Sequence, residues 1–248
     1  MTVLQDLKDM MAAEGTLHVA LIDPDKQDPE AAGEIARRMK AAGSNAIFIG
    51  GSTGVTDENL TSTTIAIKKA SGLPVILFPG TPKALSKELD AILFMSMLNS
   101  TDLSWVMGAQ VYAAPIIRRL GVEAISMGYV IVEPGMKVGE VGKADVVRRD
   151  DIPRAVAIAQ ACEMLGMSIV YFEAGSGADR PVPPEMIAAV KQAISIPLII
   201  GGGIRTPEAA AAAREAGADI VVTGTLLEQC DDCSVLNAVV AAAKGARR

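Results

Sequence analysis

The chain has 248 residues, half of them hydrophobic but only 3% aromatic, with a formal net charge of −6 and one histidine. An acidic chain with no basic stripe interleaved with aromatics is not built for nucleic acid, and no apolar run reaches the roughly 20 residues of a membrane span. The opening MTVLQDLKDMMAAEG carries acids and lacks a basic start followed by an apolar block, so it does not read as a signal peptide, and a cytoplasmic location is expected.

In chain order, short β-branched runs alternate with Ala-rich amphipathic segments, the pattern of a parallel sheet with crossover helices. Residues 1–14 form an extra helix closing one end. Strands are expected near 17–22, 46–50, 74–78, 91–95, 124–126, 168–173, 197–201 and 219–223. Helical patterns cover 30–42, 58–71, 103–120, 152–166, 184–193, 207–216 and 235–246. No linker or composition break divides the chain. The expected fold is an α/β (β/α)₈ TIM barrel, one domain over residues 1–248, which suits a fold of about 250 residues. One unit is irregular. Between Gly80 and Ala91, TPKALSKELD is shorter than a crossover helix with its two loops requires, so the helix after strand three is shortened or absent. Such a gap opens the wall, and a long apolar ligand could lie in it.

Three cysteines argue against a disulfide framework; Cys230 and Cys233 form a C-x-x-C with no second pair or histidine cluster and read as free thiols. His18 starts an apolar strand, so no histidine-based mechanism is expected. The strongest motifs end strands six to eight. IIGGGIRTPEAA reads as strand, glycine turn and helix, with Thr206 as N-cap and Pro207 at N1. Gly202, Gly203, Gly224 and Thr225 stand in the loops after strands seven and eight, where barrels bind phosphate through backbone amides and a helix N-terminus. Glu173 ends strand six among Tyr171, Phe172 and Ala174, and its burial there should raise its pKa toward that of a general base. A carboxylate merely paired with Arg205 or Lys143 is the other reading. Ser176 and Gly177 follow as further donors.

Across the rim, strand one ends in LIDPDK and strand two in FIGGSTG. Asp23 and Ser52 offer one carboxylate and one hydroxyl, a set suited to Mg²⁺ that keeps waters and takes substrate oxygens. Asp23 and Asp25 as caps of the turn around Pro24 explain the same residues.

LIDPDK, FIGGST, YFEAGSG, IIGGGIRT and VVTGTLLE, in this order and spacing, resemble geranylgeranylglyceryl phosphate synthase, the archaeal ether-lipid prenyltransferase, over nearly the whole chain. That family also lacks an ordinary helix in its third unit. The resemblance implies transfer of the geranylgeranyl group from its diphosphate to the C3 hydroxyl of sn-glycerol 1-phosphate. It implies Mg²⁺ at Asp23 and Ser52. Glycerol phosphate would be held by Tyr171, Phe172, Glu173, Ala174, Gly175, Ser176 and Gly177, with Gly202, Gly203, Gly224 and Thr225. Glu173 is the expected base, and a homo-oligomer is expected. Phe78, Met95, Met97, Trp105, Tyr112 and Tyr129 are candidates for an isoprenoid trough, although ordinary core packing is the stronger reading for each and an oligomer contact explains Trp105 equally well. A bacterial relative that makes heptaprenylglyceryl phosphate shares these motifs. A sugar-phosphate isomerase on the same barrel fits less well, because strand five brings no acid before Glu133 to pair with Asp23. A non-catalytic scaffold fits poorly with both acids present.

Overall fold

In the computed structural model, which describes residues 2–51, 54–224 and 233–245, eight parallel strands pair in chain order and close into a barrel. They are β1 (Leu17–Ile22), β2 (Ala46–Ile49), β3 (Val75–Leu77), β4 (Ala91–Met97), β5 (Glu123–Ile131), β6 (Ile169–Glu173), β7 (Leu198–Gly201) and β8 (Ile220–Thr223). Closure sets Leu17 opposite Ile220 and Ala20 opposite Thr223. Strand residues alternate between two apolar layers. Leu17, Val19, Phe48, Ile76, Leu93, Tyr171 and Ile199 fill the barrel, while Ala20, Ile22, Ile47, Val170, Phe172 and Ile200 face the helices. A strand buried on both faces must be apolar throughout, which explains the short unbroken runs in the sequence.

The helices are α1 (Val3–Glu14), α2 (Pro29–Ala42), α3 (Asp57–Ser71), α4 (Ala109–Leu120), α5 (Met136–Val141), α6 (Ile152–Met164), α7 (Pro184–Ala193), α8 (Pro207–Glu215) and α9 (Cys233–Lys244). Asp28 and Thr206 cap α2 and α8 by accepting from Ala31 N and Ala209 N, each ahead of a proline that has no amide proton to leave unpaired. At the barrel base, the Glu123 carboxylate accepts from Val3 N at 2.5 Å and Leu4 N at 3.2 Å. A negative charge on those free amides and on the positive helix end fixes α1 as the bottom plug. Among the described residues no helix is long and apolar enough to cross a membrane.

The third crossover has no helix: residues 78–90 run as turns and extended chain. Side chains of α3 supply part of its bonding. Asp57 accepts from Leu85 N at 2.8 Å, Thr61 meets Ser86 at 2.9 Å, and Lys68 reaches Glu88 O at 3.0 Å and Asp90 at 2.7 Å.

The short helix α5 has no counterpart among the expected elements, and two others differ from expectation. β5 runs on to Ile131, because Gly128 does not break it; a Cβ there would collide with Cys162 Sγ of α6, so glycine serves a close approach. The helix expected from residue 103 opens as a π-helical segment, Ser104–Gly108, before α4 begins. Gln110 ties that transition to β4 by donating to Met95 O. Cys230 lies outside the described residues.

His18 is fully buried between β1 and the helices, with Nδ1 2.8 Å from Ser44 Oγ and Nε2 3.0 Å from Thr223 Oγ1. Burial, with a smaller contribution from Lys244, lowers its pKa to about 3, so it stays neutral and structural. Unfolded histidine takes a proton below about 6.5, whereas the folded one does not until about pH 3. His18 therefore penalises the fold only as pH falls through that window, by about 3 kcal/mol at pH 4. Urea unfolding of wild type and His18→Gln at pH 7 and pH 4 should show a smaller loss at pH 4 in the variant.

Candidate functional site

The floor of the site is aromatic. Phe78, Tyr129 and Tyr171 meet edge to face with ring centroids 5.3–5.6 Å apart, and Phe48 lies 6.3 Å from Phe78. These rings come from β2, β5, β6 and the segment after β3, and inward alternation points them at one another under the mouth. Water is thereby kept from beneath Glu173, the last residue of β6.

Glu173 is buried, and burial lifts its carboxyl from the usual range to about 7; the Gly175 amide and the Tyr171 hydroxyl oppose that rise by bonding the charged form. Gly175 N donates to Oε1 at 2.7 Å. Burial and the neighbouring Glu173 also push both tyrosine phenols well above their ordinary range, so they remain protonated donors. The Tyr171 hydroxyl lies against Gly201. Gly202 has φ +79°, and a Cβ there would strike Glu173 Oε1, so this carboxylate position requires glycine. The alternative ion pairs are absent among the described residues: Arg205 donates to the carbonyls of Gly177 and Ala178, and Lys143 pairs with Asp102.

Two cavities meet at Glu173. One, of about 390 Å³, is lined by Leu21, Tyr171, Glu173, Ser176, Gly202, Gly203, Arg205 and Gly224. Its walls are the ends of β1, β6, β7 and β8, which suits a small phosphate ester. The other, of about 700 Å³, shares Leu21, Glu173 and Ser176 and runs toward Phe78, Met95, Met97, Trp105 and Tyr129. It continues past Pro79, Met95, Met97 and Trp105 into an apolar cleft of about 550 Å³ between β4 and α4, lined further by Leu85, Ile92, Phe94 and Ala113. This cleft occupies the flank where the third helix is missing.

The expected residues divide accordingly. Tyr171, Glu173, Ser176, Gly202, Gly203 and Gly224 come together. Phe172 and Ala174 do not: strand alternation turns both side chains into the helix-facing layer, and the Ala174 amide is taken by Gly201 O. Gly175 contributes its amide to Glu173 instead. Tyr112 is 55% exposed on the outer face of α4 and lines neither apolar cavity, because the lining residues Ala109, Gln110 and Ala113 take the inner face. Thr225 and Ser52 lie outside the described residues. Val138, Val141 and Gly142, at and just after α5, also line the mouth; this short helix was hidden because its six residues are too few for a period.

Asp23 follows β1, and its carboxylate lies over Gly51, where a Cβ would collide with it. Gly51 lines the central cavity, so the carboxylate stands at the mouth's edge beside β2. The Asp23 carboxylate also accepts from Asp25 N at 3.1 Å, so the expected turn around Pro24 forms as well. Among the described residues no three His, Cys, Asp or Glu side chains gather as a ligand set. A single hard carboxylate at an open mouth fits Mg²⁺, which takes its other oxygens from waters and substrate.

The chain matches the PcrB family over residues 8–243. It is 54% identical over 213 residues to the geranylgeranylglyceryl phosphate synthase of Thermococcus kodakarensis, covering 86% of this chain and 84% of that one. It is 47% identical over 244 residues to the enzyme of that name from Methanosarcina mazei, covering 98% and 99%. Its structure superposes, with TM-score 0.95 and 43% identity over 98% of this chain and 99% of the other, on (S)-3-O-geranylgeranylglyceryl phosphate synthase from Thermoplasma acidophilum in complex with its substrate sn-glycerol 1-phosphate.

The raised Glu173 pKa carries a stability consequence. The folded carboxyl holds its proton up to about 7 and the unfolded one only to about 4.5, so its contribution is fully present below 4.5 and lost as pH rises through 7. Glu173→Gln should raise the urea midpoint at pH 8.5 by the equivalent of about 3 kcal/mol and change it little at pH 4.

Proposed function

Because the chain belongs to the PcrB family, we propose that it is a geranylgeranylglyceryl phosphate synthase, which joins the C3 hydroxyl of sn-glycerol 1-phosphate to C1 of geranylgeranyl diphosphate and releases diphosphate in archaeal membrane ether-lipid synthesis. The observation that carries this reading is the meeting of a glycine-lined polar pocket and a long apolar channel at one buried carboxylate.

Glycerol phosphate lies in the smaller cavity, its phosphate on the amides around Gly202, Gly203 and Gly224 and on the N-terminus of α8. Its C3 hydroxyl faces Glu173. The isoprenoid lies along Phe78, Met95, Met97 and Trp105 and leaves the barrel through the open flank. Asp23 and Ser52 would hold Mg²⁺, which would supply neutralisation of the charge that develops on the departing diphosphate. The allylic C1–oxygen bond breaks as the C3 oxygen bonds to C1, and Glu173 receives the hydroxyl proton. Tyr171, protonated throughout, holds the carboxylate toward that proton. Positioning both substrates at one carboxylate removes the entropy of bringing them together.

The reading includes a cytoplasmic location and a homo-oligomer. Exposed apolar side chains support assembly: Leu103, Met107, Val111 and Tyr112, on the stretch leading into and along α4, are 55–79% exposed.

The deciding assay uses radiolabelled glycerol 1-phosphate with prenyl diphosphates of several lengths, with and without Mg²⁺. The 20-carbon donor should be preferred and chelation should abolish transfer; preference for a heptaprenyl donor would reassign the chain within its family. Glu173→Gln should lower kcat about a hundredfold or more. In wild type, kcat/KM should rise with pH through about 7 as Glu173 loses its proton. Asp23→Asn should weaken or abolish the Mg²⁺ response, and an unchanged metal dependence would remove Asp23 as ligand.

A further inference from the structure

We propose that Arg205 is a positioning residue for glycerol phosphate, acting through the β6–α7 loop; the inference rests on the functional reading above. Arg205 lies one residue before Thr206, the N-cap of α8. A cation is misplaced there, because the helix end is already positive. Among the described residues it has no ion pair that would draw it to that position. What it does have is two carbonyls: Nη2 donates to Gly177 O at 2.7 Å and to Ala178 O at 2.5 Å.

Those carbonyls belong to the loop that carries Ser176 into the polar cavity. The loop turns left-handed at Gly175 (φ +102°) and at Gly177 (φ +82°), and no ladder holds it past Ala174. Ala178 N closes one turn onto Gly175 O at 3.1 Å. The guanidinium, at the cavity's edge, fixes the next two peptide planes. One nitrogen thus ties the β6 loop to the β7 loop, and the two loops face each other across the cavity. Charge-assisted bonds to carbonyls are stronger than neutral ones, and losing them leaves two acceptors to rearrange. Glu173 bonds the amide of Gly175, where this turn begins, and neither of the carbonyls that Arg205 holds, so the loop's outer half can shift while the base stays in place.

The test is calorimetric titration of sn-glycerol 1-phosphate into wild type, Arg205→Met and Arg205→Lys, with steady-state kinetics on both substrates. Arg205→Met should weaken Kd and KM for glycerol phosphate about tenfold or more, with kcat within about threefold. KM for geranylgeranyl diphosphate and the near-neutral pKa of the pH profile should not move. Arg205→Lys keeps the charge but loses the planar fork, and should remain impaired. Wild-type binding by both variants, full recovery with lysine, or a loss confined to kcat would overturn the inference. If Arg205→Met does not fold, Arg205→Lys decides. Absence of glycerol phosphate binding by wild type would instead remove the functional reading beneath it.

Discussion

The site depends on keeping one carboxylate out of water without giving it a cation. Glu173 stands above interlocking tyrosine and phenylalanine rings, which fill the barrel that solvent would otherwise enter. A lysine or arginine partner would have held its pKa low and its lone pairs occupied. The neighbours are instead a backbone amide and a phenol, which orient the carboxylate while leaving it basic. The glycine at position 202 follows from the same requirement, because any side chain would occupy the carboxylate's place. The aromatic floor, the glycine turn and the raised pKa are three expressions of one constraint.

Around that carboxylate the barrel separates two kinds of solvation. On the β6 to β8 side the surfaces are peptide groups and glycines, which exchange bonds with water for bonds with an anion at little desolvation penalty. On the β3 to β5 side they are Met, Phe and Trp, whose contact with a hydrocarbon chain is favourable by about 25 cal/mol per Å² of area removed from water. Among the described residues the two surfaces share Leu21, Glu173 and Ser176. A reaction linking a charged glycerol phosphate to an isoprenoid needs such a boundary, and the bond forms at it.

Much of this was legible in the residues. Short, unbroken β-branched runs disclosed the strands, and Thr206 with Pro207 disclosed the start of α8. The missing third helix could be inferred from chain length alone, since too few residues separated Gly80 from Ala91. Glu173 stood out as a charge at the end of an apolar run. Other features were hidden for physical reasons. Gly128 looks like a strand breaker when its role is to admit Cys162. A six-residue helix has no measurable periodicity, so α5 leaves no helical pattern in the sequence. A seven-residue motif does not say which way each side chain points, and alternation directs Phe172 and Ala174 away from the mouth. Tyr112 and Trp105 share an amphipathic stretch, and only packing decides that one faces the cleft and the other solvent.

The absent third helix has an effect on its neighbour. A helix satisfies its own amides and carbonyls, whereas the strap at residues 78–90 must borrow partners. Asp57 of α3 takes the Leu85 amide and Lys68 the Glu88 carbonyl, while Thr61 bonds the Ser86 hydroxyl. Three polar residues that would pass for solvated side chains on an amphipathic helix are thereby committed to holding the strap. The lateral port and the polar face of α3 are one inheritable unit: a sequence that restored the helix would release those three positions to vary, and one that kept the port would not.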